Sequence, residues 1–593
     1  MDRIIDFQRH RKRIDSELAL GAIETKKRSA QGLEFKNNDK GITLEDLAKQ
    51  VLKKSPYPLD YFEVAANLES LGWNDLRAAE AFGAADVFEL AMLLWDMVQD
   101  RINVQPFMEM KKMGFVHIVV YTVKSFLRGM VFALPMAISV VAMLTLRFSL
   151  WSYEKLSVEL ATSIAIGTIL SFISVGGFMQ AIARRGFFYI NQGFFNMAKR
   201  ITYYFIKLGY ICAIAVALFY MLFNAYFENF PAYMFVVTIV YYFFLCANWL
   251  SVTVMYILKR EFTFTALITL GIIFVYILFS VVGLNIIYSQ LIAMSIVSAL
   301  GLFLIVYFFN LSEGKMERGI APPLPKKSIL IYSLKPYFHY GFLYYLFLFT
   351  DRIMAWTTNQ DRMPYVIWFR GDYELGLDFA LLMLIIPLGF SEVIVTRLME
   401  NLELTQKNSL FHEIKGLSQK YLKLYGSSMV IIIIFSIMSA FSVYKLIQLL
   451  SDSTYWVNTD VYTFFQKLSM MAGHEEEWLA HSNALTNNPV TEFVFFYGLV
   501  SYTILCITLT NAVILFSLAQ PEMVTKTMGL GVLVNFFTGF LGTRWGSGYF
   551  GHGSAEQFAV LGLVAGTMVI AVISTGYVIK VLKNLDYYIY SAS

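Results

Sequence analysis

The sequence predicts an all-α, polytopic membrane protein of about twelve transmembrane helices in two six-helix halves, with a small helical cytoplasmic domain before the first span. Three observations carry this. Of 593 residues, 57% are hydrophobic and only 15% charged, far less charge than a soluble chain of this length needs. The apolar residues fall into a succession of runs long enough to cross a hydrocarbon core of about 30 Å. One basic, proline-bearing stretch, SEGKMERGIAPPLPKKS at 312–328, separates six such runs from six others.

The composition also excludes function classes. A net charge of +4 is too small to argue for nucleic-acid binding. Cys212, Cys246 and Cys506 each lie inside an apolar run, with neither metal-ligand spacing nor a disulfide pattern, and read as small buried hydrophobes. MDRIIDFQRHRKRIDSELAL is charged throughout and lacks the apolar core of a signal peptide, so the first span is expected to direct insertion itself.

Taken in order, residues 1–41 form a polar arm ending near KNNDKG. Residues 42–115 read as a helical cytoplasmic N-terminal domain of three or four short helices. In ITLEDLAKQVLKK the apolar residues recur at helical spacing, and Thr43 with Glu45 and Asp46 marks a helix start. YPLDYFEVAANLESLG and NDLRAAEAFGAADVFELAMLLWDMVQDRI continue the pattern between Gly, Pro and Asn breaks. The expected role is docking of a cytoplasmic partner.

The first six-helix half, 116–311, holds spans near 117–147, 157–182, 201–226, 231–257, 262–284 and 288–310. The first of these could be two pieces, because Lys124 and Arg128 lie four residues apart on one side of its amphipathic start. After the 312–328 linker, the second half, 329–593, holds spans near 329–356, 376–398, 426–450, 491–517, 524–542 and 555–582. Loops on the linker's side carry sixteen Lys and Arg, among them Arg184, Arg185, Lys259, Lys326 and Arg397, against six on the other side. That excess puts the linker and both termini in the cytoplasm. No repeat is evident between the halves, so the 6+6 division rests on count and on the linker. The 451–490 loop contains HEEEW, where His474 and His481 beside three glutamates could hold a metal, although a solvated loop is the plainer reading.

Candidate site residues concentrate in 335–403. Lys335, His339, Asp351, Arg352, Asp378 and Glu392 lie within two apolar runs, where lipid would penalise each charge by roughly 2.5–3.5 kcal/mol near mid-depth. Such groups must face protein or a water-filled cavity. At 100° per residue, Tyr337, Tyr340, Tyr344 and Asp351 share one side of the first run, with Lys335 and His339 roughly opposite. A tyrosine stripe ending in a carboxylate suits a sugar, whose rings present both C–H faces and polar edges. If the helix lines a conduit, that stripe should be wet and the side with Leu346 and Phe349 packed. Plainer readings stand beside this one: packing for the tyrosines, an ion pair for Asp351 and Arg352, an N-cap for Asp378, and a snorkelling side chain for Glu392. Pro387, between the two acids, could break or kink its helix.

HYGFLYYLFLFTDRIMAW (339–356), DYELGLDFALLMLIIPLGFSEVIVTRLMENLE (372–403), GSGYFGHG (546–553) and the C-terminal KVLKNLDYYIY together resemble the PelG family of membrane exporters from Pel-type exopolysaccharide systems. That family belongs to the flippase superfamily that also contains MATE drug antiporters and lipid-linked oligosaccharide flippases. The resemblance covers about 115–593. It implies a twelve-span, MATE-like two-lobe conduit in the cytoplasmic (inner) membrane that exports an amino-sugar polymer. It also implies a cytoplasmic glycosyltransferase and other membrane subunits as partners, and neither a cofactor nor a catalytic site. Residues 1–115 and the long 451–490 loop look like additions to the family pattern, and His552 stands where a second aromatic is expected.

The alternatives are a lipid-linked oligosaccharide flippase, a cation-coupled multidrug antiporter, or a membrane-embedded transferase. An antiporter would need a deep carboxylate in the first half, which offers only Glu159 near a span end. A transferase would need a base with a partner, but His339 has Lys335 four residues before it and no phosphate loop or metal motif accompanies it.

Overall fold

In the computed structural model the described residues are 43–54, 58, 60–104, 115–131, 134–153, 155–313, 325–358, 365–408, 414–451, 488–550, 554–585 and 587–588. They are helical with no strand, apart from one isolated bridge between Phe148 and Tyr153. The chain divides into two compact units, Met1–Gly114 and Phe115–Ser593.

The first unit contains α1 (Leu44–Lys54), α2 (Tyr61–Ser70), α3 (Asp75–Phe82) and α4 (Val87–Val104). Its helix starts follow the sequence signals. Asp46 N donates to Thr43 Oγ1 (3.2 Å), Glu63 N to Asp60 Oδ1 (2.8 Å) and Arg77 N to Asn74 Oδ1 (2.9 Å), each occupying an otherwise orphaned amide. Gly83 ends α3 with φ of 71°, a conformation that penalises any side chain. Leu47, Val51, Val64, Leu68, Trp73, Leu90 and Leu94 form a small closed core.

The second unit begins with α5 (Phe115–Val131) and α6 (Leu134–Leu146), the two pieces anticipated for the first span. The first half continues with α7 (Val158–Asn191), α8 (Phe195–Phe227), α9 (Ala232–Ile257), α10 (Glu261–Tyr276, extended by a π turn to Val281) and α11 (Ile286–Ser312). The second half comprises α12 (Lys327–Trp356), α13 (Gly371–Leu381), a 3₁₀ turn (Leu382–Leu384) and α14 (Ile385–Asn408), then α15 (Ile414–Ser451), α16 (Pro489–Ser517), α17 (Pro521–Phe550), a 3₁₀ turn (Ala555–Ala559) and α18 (Val560–Lys583). The 451–490 loop with His474 and His481 falls almost wholly outside the described residues, as do residues 1–42 and most of the linker.

Ten of the described helical segments are long and apolar enough to cross a membrane. With α12, whose charges lower its hydropathy, and the α5/α6 pair, the crossings among the described residues number about twelve. Two buried apolar clusters are built mainly from the first half, and a third, larger one from the second. The chain is thus a multi-pass membrane protein with a core in each half. α7 packs on α8 and α9 within its own half and on α12 across the seam; α12 in turn packs on α17.

Two prolines shape the second half. Thr525 Oγ1 on α17 donates to the carbonyl of Pro336 in α12 at 2.9 Å. Pro387 has no N–H to give Met383 O, its regular helical acceptor, and the 3₁₀ turn lies there. Ser439 Oγ on α15 fills the gap, donating to Met383 O at 2.7 Å.

Candidate functional site

The seam between the halves is lined by aromatic side chains from four sources. Trp151 comes from the turn before α7, Trp249 from α9 and Phe172 from α7, and Tyr345 and Phe349 come from α12. Phe172 stacks on Trp249 (4.1 Å between ring centres, 24°) and on Tyr345 (4.7 Å, 26°), with Phe349 at 5.6 Å. Trp151 meets Trp249 edge-on at 5.9 Å. Trp249 Nε1 donates to Ser171 Oγ at 2.9 Å, so its indole is held in place. All five rings are only partly buried.

The strip ends at charge. The Arg352 guanidinium lies 5.7 Å from the Phe349 ring centre. It pairs directly with Glu374 of α13, and its Nη2 lies 3.6 Å from Asp378 Oδ1. Glu374 Oε1 also accepts from Trp356 Nε1 at 2.9 Å. Asp351, one residue earlier on α12, turns into the second half, where Tyr373 Oη donates to its Oδ2 at 2.7 Å. Its Oδ1 is buried without a hydrogen-bond partner among the described residues. Three carboxylates therefore surround one guanidinium, all on α12 and α13.

The sequence candidates divide accordingly. Arg352 and Asp378 lie together, and the Asp378 side chain is about half exposed at 48%. Asp378 sits inside α13 and is not its N-cap, a position held by Arg370. The sides of α12 fall as the helical projection expects, with Lys335 and His339 exposed and Tyr337 and Tyr340 buried. The tyrosine stripe is packed, however, where a wet surface was expected. Tyr337 and Tyr340 lie against Phe516 of α16 (5.3 and 4.8 Å), and Tyr340 stacks on Tyr344 at 5.9 Å. Phe349, expected to be packed away, belongs to the seam strip. A helical projection groups residues without saying which neighbour each side meets, and here α16 takes the tyrosine side. Glu392 lies beside Gly129 of α5, remote in sequence from the Arg352 cluster.

Sequence reasoning missed Glu374, Tyr373 and the aromatic strip. Glu374 had a signal, since it lies four residues before Asp378 and so on the same side of a helix. The expected span start at 376 left it in the loop. Just outside the same ends of α12 and α13, Arg370 lies 3.6 Å over Trp368, donates to Thr358 O (2.7 Å) and pairs with Glu556 (3.8 Å). Those contacts fix how the chain enters α13.

Fold and site define a helical multi-pass membrane protein with a polar, aromatic-lined seam between two halves. The sequence matches no protein-family model and no curated protein. Among solved structures it is similar to a MATE in complex with MaD3S, with 12% identity over 78% of this chain and 96% of that one and a TM-score of 0.47. It is also similar to an inward-facing multidrug resistance MATE family transporter of the MOP superfamily (13% identity, 77% and 98% covered, TM-score 0.47) and to an outward-facing one (14%, 78% and 96%, TM-score 0.44).

Proposed function

We propose that this chain is a transporter that moves a polysaccharide across a membrane, in the manner of the PelG-like exporters it resembles over about 115–593. The observation that carries this reading is the partly exposed aromatic strip, Trp151, Trp249, Phe172, Tyr345 and Phe349, leading to Arg352, Glu374 and Asp378. Flat rings stack on the C–H faces of pyranoses, and a guanidinium and carboxylates at their edge bind hydroxyl and amine substituents. In this reading Tyr344, Arg352 and Asp378 border the pathway, while Tyr337, Tyr340 and Asp351 support it from behind. Glu392 belongs to the closure of the seam. The setting is the cytoplasmic (inner) membrane with both termini in the cytoplasm. The polymer arrives from a cytoplasmic glycosyltransferase, with other membrane subunits alongside, and residues 42–115 dock that machinery.

Trp249→Ala and Phe172→Ala test the reading. Each should cut polymer export at least about fivefold at unchanged membrane abundance, with Trp249→Phe retaining most of it, taking the about 1–3 kcal/mol that an aromatic stacking platform gives a flat base as the scale for a sugar ring. Full export from both alanine variants would remove the strip from the pathway.

The excess of carboxylates around Arg352 favours one second reading, a transporter driven by proton or cation uptake at that cluster. Asp351→Asn separates the two. Loss of dependence on an ion gradient with polymer still moving supports coupling, whereas gradient-independent transport by the unaltered protein excludes it.

A further inference from the structure

Among the contacts between the halves, two are the same contact made twice. In the first, α5 crosses α14. A side-chain carbon on Gly129 would lie 2.7 Å from Leu388 O, 2.8 Å from Gly389 Cα and 2.8 Å from Glu392 Cβ; one on Gly389 would lie 2.7 Å from the Phe126 ring and 3.0 Å from Phe126 O. In the second, α12 crosses α7. A carbon on Gly341 would run into the Gly176 backbone and Gln180, and one on Gly177 would lie 2.6 Å from the Phe338 ring and 2.8 Å from Phe338 O. Phe126 meets Phe390 edge-on at 4.9 Å, and Phe338 meets Phe178 edge-on at 4.9 Å.

Each glycine and aromatic partner in one crossing, and the residue at 180 or 392, is displaced from its counterpart by the same 212 positions: Phe126 and Phe338, Gly129 and Gly341, Gly177 and Gly389, Phe178 and Phe390, Gln180 and Glu392. Arg185 and Arg397 keep that spacing. Arg397 Nη2 donates to Thr122 Oγ1 (2.5 Å) on α5, and Arg185 Nη2 donates to Ser333 Oγ (2.9 Å) on α12. The first membrane crossing of each half thus uses an FxxG segment to seat against the glycine in the second membrane crossing of the other half, and an arginine ties each contact on its linker-side flank. Only glycine permits backbones this close. Toward the other end the halves also meet, with Phe369 N donating to Thr162 Oγ1 at 2.9 Å, but that contact has no counterpart 212 positions away among the described residues; the duplicated contact, with its arginine ties, belongs to the linker-side part of the seam.

We infer that these two crossings are one gate: a pseudo-two-fold pair of glycine contacts that closes the seam toward the linker side and whose arms part together. Two rigid helix pairs related by a two-fold cannot separate at one crossing while the other stays seated without bending α5 or α12.

The test reads solvent access, not transport, so it stands whether or not the substrate reading holds. In a chain with Cys212, Cys246 and Cys506 replaced by Ala, Phe349→Cys in the seam reports labelling by a membrane-impermeant maleimide applied from the linker side of sealed vesicles. Gly129→Ala and Gly341→Ala wedge one crossing each, and each should raise labelling at least about tenfold, the change that accompanies a bias of ~1.4 kcal/mol. Disulfide bridges made through a bifunctional methanethiosulfonate long enough to replace the arginine side chain, between Thr122→Cys and Arg397→Cys or between Ser333→Cys and Arg185→Cys, should each abolish that labelling until reduced. A protease site in the 312–328 linker shows on a non-reducing gel that the halves are joined. The inference is overturned if one wedge opens the seam and its twin does not, or if labelling persists with either disulfide formed. Should a wedged protein fail to accumulate, the disulfide pairs in the unwedged chain decide the question by the same labelling.

Discussion

Removing Glu374 should cost far more stability than removing Asp378, the other acid of α13 that faces Arg352. The Glu374 carboxylate is paired with Arg352 and also accepts from Trp356 Nε1, and the two ionic side chains are only 8% and 14% exposed. Breaking one partner of a buried pair costs about 3–5 kcal/mol, because the survivor stays buried and uncompensated. Asp378, at 3.6 Å and half exposed, compensates little, since exposed pairs contribute about 0–1 kcal/mol. Glu374→Leu should therefore fall in the 3–5 kcal/mol range, and Glu374→Gln about 1 kcal/mol less because its carbonyl still accepts from Trp356. Asp378→Asn should lose under ~1 kcal/mol. Arg352→Met with Glu374→Leu removes both charges and should recover most of the loss. Thermal midpoints of detergent-solubilised protein, read as the monodisperse fraction surviving a heating series, should rank wild type, Asp378→Asn, the double variant, Glu374→Gln and Glu374→Leu in descending order. A Glu374→Leu protein as stable as wild type, or a double variant worse than both singles, would refute the pairing as the source of stability.

Ser439→Ala should destabilise by about 1–3 kcal/mol by orphaning the buried Met383 carbonyl, and Pro387→Ala should restore much of that loss by returning an in-helix donor; equal midpoints with and without Pro387 would count against this account. Single-cysteine labelling at Lys326 should be blocked to impermeant reagents in intact cells, and external labelling there would overturn the orientation derived from loop charge. In the first unit, the Thr43 hydroxyl donating to Asp46 at 2.8 Å, helped by Lys49, holds that carboxyl below its ordinary value of 3.8. Its contribution is present above 3.8 and is lost as pH falls through the lower, folded-state value. A carboxyl NMR titration should show Thr43→Ala moving Asp46 upward, and an unchanged titration would rule the hydroxyl out as the cause.

Much of the fold was legible because membrane helices announce themselves by apolar length. The divided first span, the helix start at Thr43 and the opposite placement of Lys335 and Tyr337 on α12 all follow from short-range chemistry. The site was legible only in part. Arg352 and Asp378 stood out as charges inside apolar runs, but Glu374 was lost because hydropathy placed the start of its helix five residues late. The aromatic strip is assembled from the α6–α7 turn, α7, α9 and α12, and in a chain that is 16% aromatic no single ring is conspicuous. FLRG at 126 and FHYG at 338 share only two letters, as do GGF at 176 and LGF at 388. Such matches gain meaning once both pairs are found making the same contact.

The borrowed hydrogen bond at Met383 bears on how force travels through the second half. A helix that satisfies its own backbone can be carried as an independent rod, but here the joint between α13 and α14 is tethered crosswise to α15. Torque applied where α14 meets α5 must either snap that tether or drag α15 along with it. The anions facing Arg352 ride on α13, immediately beyond the joint, so they are anchored to the frame while α14 takes the strain. The proline thus divides one membrane crossing into a fixed mount and a lever arm.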